Sequence, residues 1–337
     1  MLENRYEIIA LVQAENCNPN GDPDMDNRPR IDLETGHGVM TDVSFKARIR
    51  RVIEELKGDN EHYQILFKDG ASINREICAA ALKANNIKKF TDEMVTKGNP
   101  KVKATTDVIT EKYWDARTFG AVLSTGLNGG QIRGPVQISM ATSLDPIDIQ
   151  DITISRNSYT EGGKLKSVEE FDELDKNIPD KEKRTFGNKK FIPYGLYVMK
   201  ATVSANLANK CGFDKEDFEL LLEGITQMYS NDISASKMGM SVLSPVIVFK
   251  HIGTQSESNP EANAKEALLG CAPAYKLFEL LKVIKKDSVE TPRNYRDYEA
   301  TLDVSKLPKG IKVGFKQGPF QEIKWDFIED DWLNIVN

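Results

Sequence analysis

The chain has 337 residues, 40% of them hydrophobic and 28% charged, with a formal net charge of -6. That length and apolar share predict a soluble globular protein of one large domain or two modest ones, and the acidic balance argues against a body coated in positive potential. No stretch approaches the roughly 18 apolar residues that span a bilayer, and MLENRYEIIALV lacks the features of a signal peptide, so the expected location is the cytoplasm, with no membrane partner. Four scattered cysteines without a CxxC pair and three histidines give no basis for a zinc site or a disulfide framework.

In chain order, Arg5 to Ala14 has the β-branched, apolar composition of a buried strand, which the Gly/Pro/Asn/Asp run after Cys17 must end. That run, Asn18 to Met40, feeds a helix with Thr41 as its N-cap. Phe45, Ile49, Val52, Ile53 and Leu56 recur at helical spacing and form one apolar stripe. Residues 60–112 are polar, lysine-rich and broken by Gly70, Gly98 and Pro100, with a helical patch at Asn74 to Lys83; they read as an insertion. A short helix is predicted over Trp114 to Ser124, and a strand over Val136 to Ile147. Residues 151–190 form a second polar insertion. Strand composition returns at Phe191 to Asn206, a helix follows over Phe213 to Tyr229 with Asp214 near its start, and a strand over Ser241 to Ile252. Weak strands are expected around Leu302 and Val313, ahead of an acidic aromatic terminus, WDFIEDDWLNIVN, that the pattern does not place.

The order β, α, β, β, α, β predicts an α+β fold of ferredoxin-like or RNA-recognition-motif type. Its discontinuous palm comprises residues 1–59, 113–150 and 191–337, with insertions at 60–112 and 151–190.

Charge is segregated along the chain. From Arg28 to Arg51 six basic residues face three acidic ones, and from Lys181 to Lys190 five face one. Glu169 to Asp175, by contrast, is acidic apart from Phe171 and Leu174. Such blocks suit a polyanion-binding track on an acidic body, or are solvated faces.

Asp22, Asp24 and Asp26 open like a calcium loop, but Asn27 stands where glycine is required and Leu33 where the closing glutamate belongs. With Asp32 they can be read as Mg2+ ligands for phosphodiester cleavage; Asp and Asn are also the residues of tight turns, and that is the preferred reading. Gly126 to Gly134 lacks Walker and GxGxxG spacing, so nucleotide cofactors are not indicated. It is either a turn before a strand or a close backbone approach to a ligand beside Arg133. No nucleophile and base have a spacing that indicates a hydrolase. On the basic helix Lys46 and Arg50 lie on one shoulder of the apolar stripe, and Ser44, Arg48 and Arg51 on the other. They either snorkel around the buried face or bind phosphate, which the polar loop and helix N-terminus favour.

Asn18-Pro-Asn-Gly-Asp-Pro-Asp24, Pro29-Arg-Ile-Asp32, Glu34-Thr-Gly36, Thr41-Asp-Val43, Trp114-Asp-Ala-Arg-Thr-Phe-Gly120, Gln131-Ile-Arg-Gly-Pro-Val-Gln137 and Ile192-Pro-Tyr-Gly-Leu-Tyr197 together resemble the backbone subunit, of the Cas seven family, of the type I-C CRISPR Cascade complex. The resemblance reaches at least Ala272-Pro-Ala274. It implies a modified RNA-recognition-motif palm, with residues 60–112 as a helical finger and 151–190 as a hairpin thumb. It also implies copies of the chain in a filament along one CRISPR guide RNA, which they present to target DNA beside other Cascade subunits.

No RNP1 motif is present, the nearest run being Lys312-Val-Gly-Phe315, so the expected grip is on backbone phosphate and shape, with specificity left to base pairing. The residues expected at RNA are Asn20, Arg28, Arg30, Ser44, Lys46, Arg48, Arg50, Arg51, Arg117, Arg133, Phe186, Lys189 and Lys190, with Arg28, Arg30, Lys46 and Arg50 foremost. Three departures from the family pattern stand out: Ala47 after Lys46, Phe186-Gly187-Asn188-Lys189 in place of a Met-Gly-Arg-Lys-like run, and low basic character at Asn231 to Ala235. No catalytic residue, metal or cofactor is expected; the competing reading is a metal-dependent endoribonuclease using Asp24, Asp26 or Asp32.

Overall fold

The computed structural model describes residues 1–89, 100–124, 126–255 and 259–326. It opens on β1 (Tyr6–Cys17), where Ile8, Ala10, Val12 and Ala14 enter one core cluster while Ile9 and Leu11 enter clusters on the other side. A strand apolar on both faces has to sit in the middle of a covered sheet. A small ribbon of β2 (Gly21–Asp22) and β3 (Arg28–Pro29) follows, then β4 (His37–Met40). Helix α1 (Asp42–Lys57) is capped by Thr41, whose Oγ1 accepts the Ser44 N–H at 3.3 Å, and it buries Phe45, Ile49, Val52 and Ile53 as the stripe predicts. Each of those side chains contributes about 1.5–3 kcal/mol relative to exposure.

The first insertion contains α2 (Ile73–Asn85) and α3 (Pro100–Lys112). Ile77, Ala80 and Ile109 pack there with Leu66 and Tyr113 into a small core of their own. Sequence reading finds α2 but not α3, whose KVKATTDVITEK is rich in β-branched residues and has little apolar stripe. Helix α4 (Trp114–Phe119) is shorter than predicted. Gly120 ends it at φ +84°, where an added Cβ would lie 2.6 Å from the Ile132 carbonyl oxygen, and the chain turns into β5 (Ala121–Val122), paired with β6 (Gln131–Ile132). The strand predicted over Val136 to Ile147 is two, β7 (Val136–Ile138) and β8 (Ala141–Pro146).

In the second insertion β9 (Gln150–Arg156) pairs with the start of β10 (Thr185–Val203), and between them lies α5 (Val168–Asn177), held by a Ser167/Glu170 capping box. All seven residues of β9 are exposed. Strand β10 begins earlier than predicted, so one 19-residue strand runs from this projecting ribbon into the main sheet. Then come α6 (Ala205–Cys211), α7 (Lys215–Gln227) and β11 (Met240–His251). The carboxyl-terminal part adds α8 (Pro260–Leu269), α9 (Ala274–Phe278), the hairpin β12 (Leu281–Lys285) with β13 (Tyr298–Leu302), β14 (Ile311–Lys316) and β15 (Lys324–Trp325). Of the unplaced terminus only Trp325 and Asp326 are described; residues 327–337 lie outside the described residues.

The main sheet runs β15-β14-β11-β1-β10-β8-β4, with every pair antiparallel. Within it the four strands of the predicted βαββαβ core lie in the order fourth, first, third, second. Register runs from Tyr6 opposite Val203 to Cys17 opposite Ile192. Helices α1 and α7 cover one face, and a Cβ on Gly224 would lie 2.7 Å from Ile49 Cγ2, so glycine sets their closeness. The other face is covered by Leu277, Leu280, Tyr298 and Leu302 against Ile9, Leu11, Phe249 and Phe315. Bases therefore have no open platform to stack on over these strands. Among the described residues no helix is long and apolar enough to cross a membrane.

Candidate nucleic-acid interface

The polar turn ahead of α1 is held from within. Asn20 Oδ1 accepts the Thr41 N–H at 2.8 Å and its hydroxyl at 3.1 Å, while the Asn20 carbonyl accepts the Arg30 N–H at 2.9 Å. Asn16, Asp26 and Asn27 take left-handed backbone angles, which short polar side chains tolerate best after glycine. Asp22 caps Asp24 N–H at 3.2 Å and pairs with Arg30 at 3.2 Å. Asp32 accepts the Glu34 N–H at 3.1 Å and the Thr35 hydroxyl at 2.7 Å, which holds its carboxyl below the usual range. Asp26 pairs with Lys190 at the base of the β9/β10 ribbon, and that ammonium lowers the Asp26 carboxyl. Three of the four loop aspartates are thus turn braces. No group of three or more His, Cys, Asp or Glu able to hold a metal ion occurs among the described residues.

The basic helix divides as its periodicity predicts, and its two shoulders differ. Lys46 pairs with Asp42 at 2.8 Å, one turn back. Arg50 pairs with Asp115 at 2.8 Å, and its guanidinium lies 5.3 Å from the rings of both Phe67 and Phe119. Asp115 is wholly buried and also accepts the amide N–H groups of Leu66 and Phe67 at 2.8 and 3.1 Å. Arg50 therefore fastens α1 to the base of the first insertion. On the other shoulder Arg48 is nearly buried; Nη1 donates to the Ser44 carbonyl at 2.7 Å, and the guanidinium lies 5.2 Å from the Tyr229 ring. Arg48 Nε and Arg51 Nη1 meet the two oxygens of Asp232 at 3.0 and 2.8 Å, and Arg51 remains half exposed.

Asp232 belongs to a segment, Asn231 to Gly239, laid across the polar turn. The Asn18 and Glu15 N–H groups donate to Ser236 and Gly239 carbonyls at 2.9 Å each, and a Cβ on Gly239 would collide with the Glu15 oxygen at 1.6 Å. Lys237 Nζ donates to the carbonyls of Asn18 and Pro19, the latter at 2.8 Å. Burial, with the charge of Arg48 beside it, pushes the Lys237 amine down to about 8. Lys189 Nζ reaches the Ala235 carbonyl at 3.2 Å. The structure thus gathers Asn20, Arg28, Arg30, Ser44, Arg48, Arg51, Lys189 and Lys190 around one turn.

Lys46 and Arg50 lie on the opposite shoulder of α1, and three more expected residues lie farther off. Arg117 is buried, bidentate to Asp217 at 2.9 and 2.8 Å, and donates to the His62 carbonyl at 2.6 Å. Its guanidinium ties α4 to α7 through Asp217, and burial pushes the Asp217 carboxyl up even with Arg117 beside it. Arg133 is exposed on a different side, at a cleft of about 690 Å³ with Lys103, Thr106 and Lys210. Phe186, 70% exposed, stands on the projecting ribbon opposite Ser155. Sequence reading missed Asp115, Asp217 and Lys237 as site residues, and met Asp232 only within the Asn231 to Ala235 run of low basic character. Asp115 had a signal in its place in the Trp114-Asp-Ala-Arg-Thr-Phe-Gly120 motif.

The family model described as CRISPR-associated protein Cas7 matches residues 4–303. The chain belongs to the Cas7 family. The CRISPR-associated protein Cas7 of Haloferax volcanii is 27% identical over 239 residues, which cover 65% of this chain and 62% of that relative. The chain thus spans somewhat less than two thirds of the length of the Cas7 relative it matches. Solved structures similar to it include two chains of CRISPR surveillance complexes. A chain of a CRISPR RNA-guided surveillance complex, pre-nicking, has a TM-score of 0.44 at 12% identity, with 80% of this chain and 84% of that one covered. A chain of a CRISPR RNA-guided surveillance complex has a TM-score of 0.41 at 13% identity, with 80% and 77% covered.

Proposed function

We propose that this Cas7-family chain is the non-catalytic backbone subunit of a type I-C Cascade complex, which oligomerises along a CRISPR guide RNA and presents it to target DNA. The observation that carries the reading is the braced turn ahead of α1. A rigid loop with Arg28, Arg51, Lys189 and Lys190 around it can hold a phosphate backbone of any sequence, because none of these groups reads a base edge. In this reading the sheet and its helices are an RNA-recognition-motif palm, supported by the fourth-first-third-second strand order. The helical insertion is the finger, and the β9/β10 ribbon is a thumb whose Phe186 wedges between bases. The covered second face of the sheet supports backbone gripping over base stacking. The internal bonds of Asp22, Asp26 and Asp32 support a bracing role over metal-dependent cleavage. Neighbouring copies and other Cascade subunits are the expected protein partners.

The test is to purify the full chain in its complex and examine what nucleic acid travels with it. A guide-length RNA with nuclease protection repeating at a fixed interval is the expected result. Adding complementary RNA or DNA with Mg2+ then separates the readings: regular cuts that vanish in Asp24→Ala, Asp26→Ala or Asp32→Ala would establish the nuclease instead.

A further inference from the structure

We propose that Asp232 is an internal substitute for an RNA phosphate, seated between Arg48 and Arg51 in the RNA-free chain and displaced when the guide is gripped. This rests on the reading above that the braced turn grips RNA phosphate, and it names the group that governs the affinity of that grip. One carboxylate lies between two guanidiniums: Oδ1 accepts from Arg51 Nη1 at 2.8 Å, while Oδ2 is 3.0 Å from Arg48 Nε, a buried donor without a hydrogen-bond partner. The two non-bridging oxygens of a phosphodiester can bridge the same donors, since guanidinium geometry suits carboxylate and phosphate alike.

The site would outlast the departure of Asp232. Arg48 is held independently, by the Ser44 carbonyl at 2.7 Å and by the Tyr229 ring at 5.2 Å. Charge also favours a second anion. Arg48, Arg51 and the partly buried Lys237 surround this one carboxylate, and the Lys237 amine is pushed down to about 8 by burial and then by the charge of Arg48.

The segment that carries Asp232 is held largely by polar contacts. Asn231 Nδ2 donates to Glu55 at 2.8 Å, Lys237 reaches the Asn18 and Pro19 carbonyls, and Ile233 and Met238 are 70% and 81% exposed. A segment without apolar anchors is released at small free-energy cost. Asp115 on the opposite shoulder differs: with no exposure and two amide N–H donors besides Arg50, it cannot be exchanged for a ligand.

The test measures binding of the full-length chain to a guide-length RNA at fixed salt. Asp232→Asn keeps the shape but removes the competing charge, and should tighten binding about five-fold, the upper end for a half-exposed ion pair. Asp232→Ser, too short to bridge both arginines, should act in the same direction. Arg51→Ala should weaken binding and, combined with Asp232→Asn, abolish the gain, the non-additivity expected of residues sharing one ligand. Unchanged or weaker binding by both Asp232 variants, with the wild-type chain binding normally, overturns this inference alone. Failure of the wild-type chain to bind RNA overturns it together with the proposed grip of the braced turn on RNA.

Discussion

Helix α1 makes the same ion pair on both shoulders, Arg50 to Asp115 and Arg51 to Asp232, each at 2.8 Å, and the two have opposite consequences. Asp115 has no exposure, takes two further amide donors and sits where Phe67 and Phe119 flank its arginine. Removing either partner there strands a charge away from water. Arg51 is half exposed, so water can replace whatever it loses. The comparison teaches that separation alone says little about an ion pair. Desolvation decides whether it fixes a fold or lies open to a ligand.

The largest expected effect comes from the buried side. Asp115→Ala leaves the Arg50 guanidinium and the Leu66 and Phe67 amides without their acceptor, and should cost about 3–5 kcal/mol of stability in denaturant unfolding. A loss under about 1 kcal/mol would erase the distinction between the shoulders.

The next effect concerns Lys237, whose amine is pushed from its ordinary value of 10.5 down to about 8. Between those values the unfolded chain binds more protons than the folded one. Stability should therefore rise as pH climbs through that window, by less than about 1.4 kcal/mol per pH unit, and Lys237→Met should flatten the rise. A thermal midpoint series across the window measures both.

On the open shoulder, Arg51→Ala should change stability by less than about 1 kcal/mol. It should nevertheless lower RNA affinity equally for all guide sequences and reduce the salt slope by about 1. A sequence-dependent loss would mean that Arg51 reads bases. Smallest in stability is Phe186→Ala, expected within about 0.5 kcal/mol because the ring is already solvated. Its expected effect is a less regular nuclease-protection pattern along the guide, and an unaltered pattern would remove Phe186 from the RNA.

Much of the main sheet and of the helices on it was legible in the chain because these elements are local. Apolar, β-branched composition marked β1, β10 and β11, and helical spacing with Thr41 or Asp214 at the cap marked α1 and α7. Each element carries its own signal within a dozen or so residues. Helix α3 was not legible, since its threonines and valines disguise the period and it is stabilised by Ile77, Leu66 and Tyr113 from elsewhere. The early start of β10 was hidden for a related reason: Thr185 to Lys190 is polar, and only pairing with β9 makes it a strand.

The site divides along the same line. The sequence by itself determined the two shoulders of α1, because side-chain direction on a helix follows from spacing alone, and it determined that the polar run before Thr41 is a turn. Only the tertiary structure decided what each shoulder faces. Asp115 lies 65 residues from Arg50, Asp232 lies 181 from Arg51, and Asp217 lies 100 from Arg117. Nothing in the chain near those arginines records their partners. The sheet brings them together, and the burial it imposes separates the arginines that hold the protein from those left facing solvent.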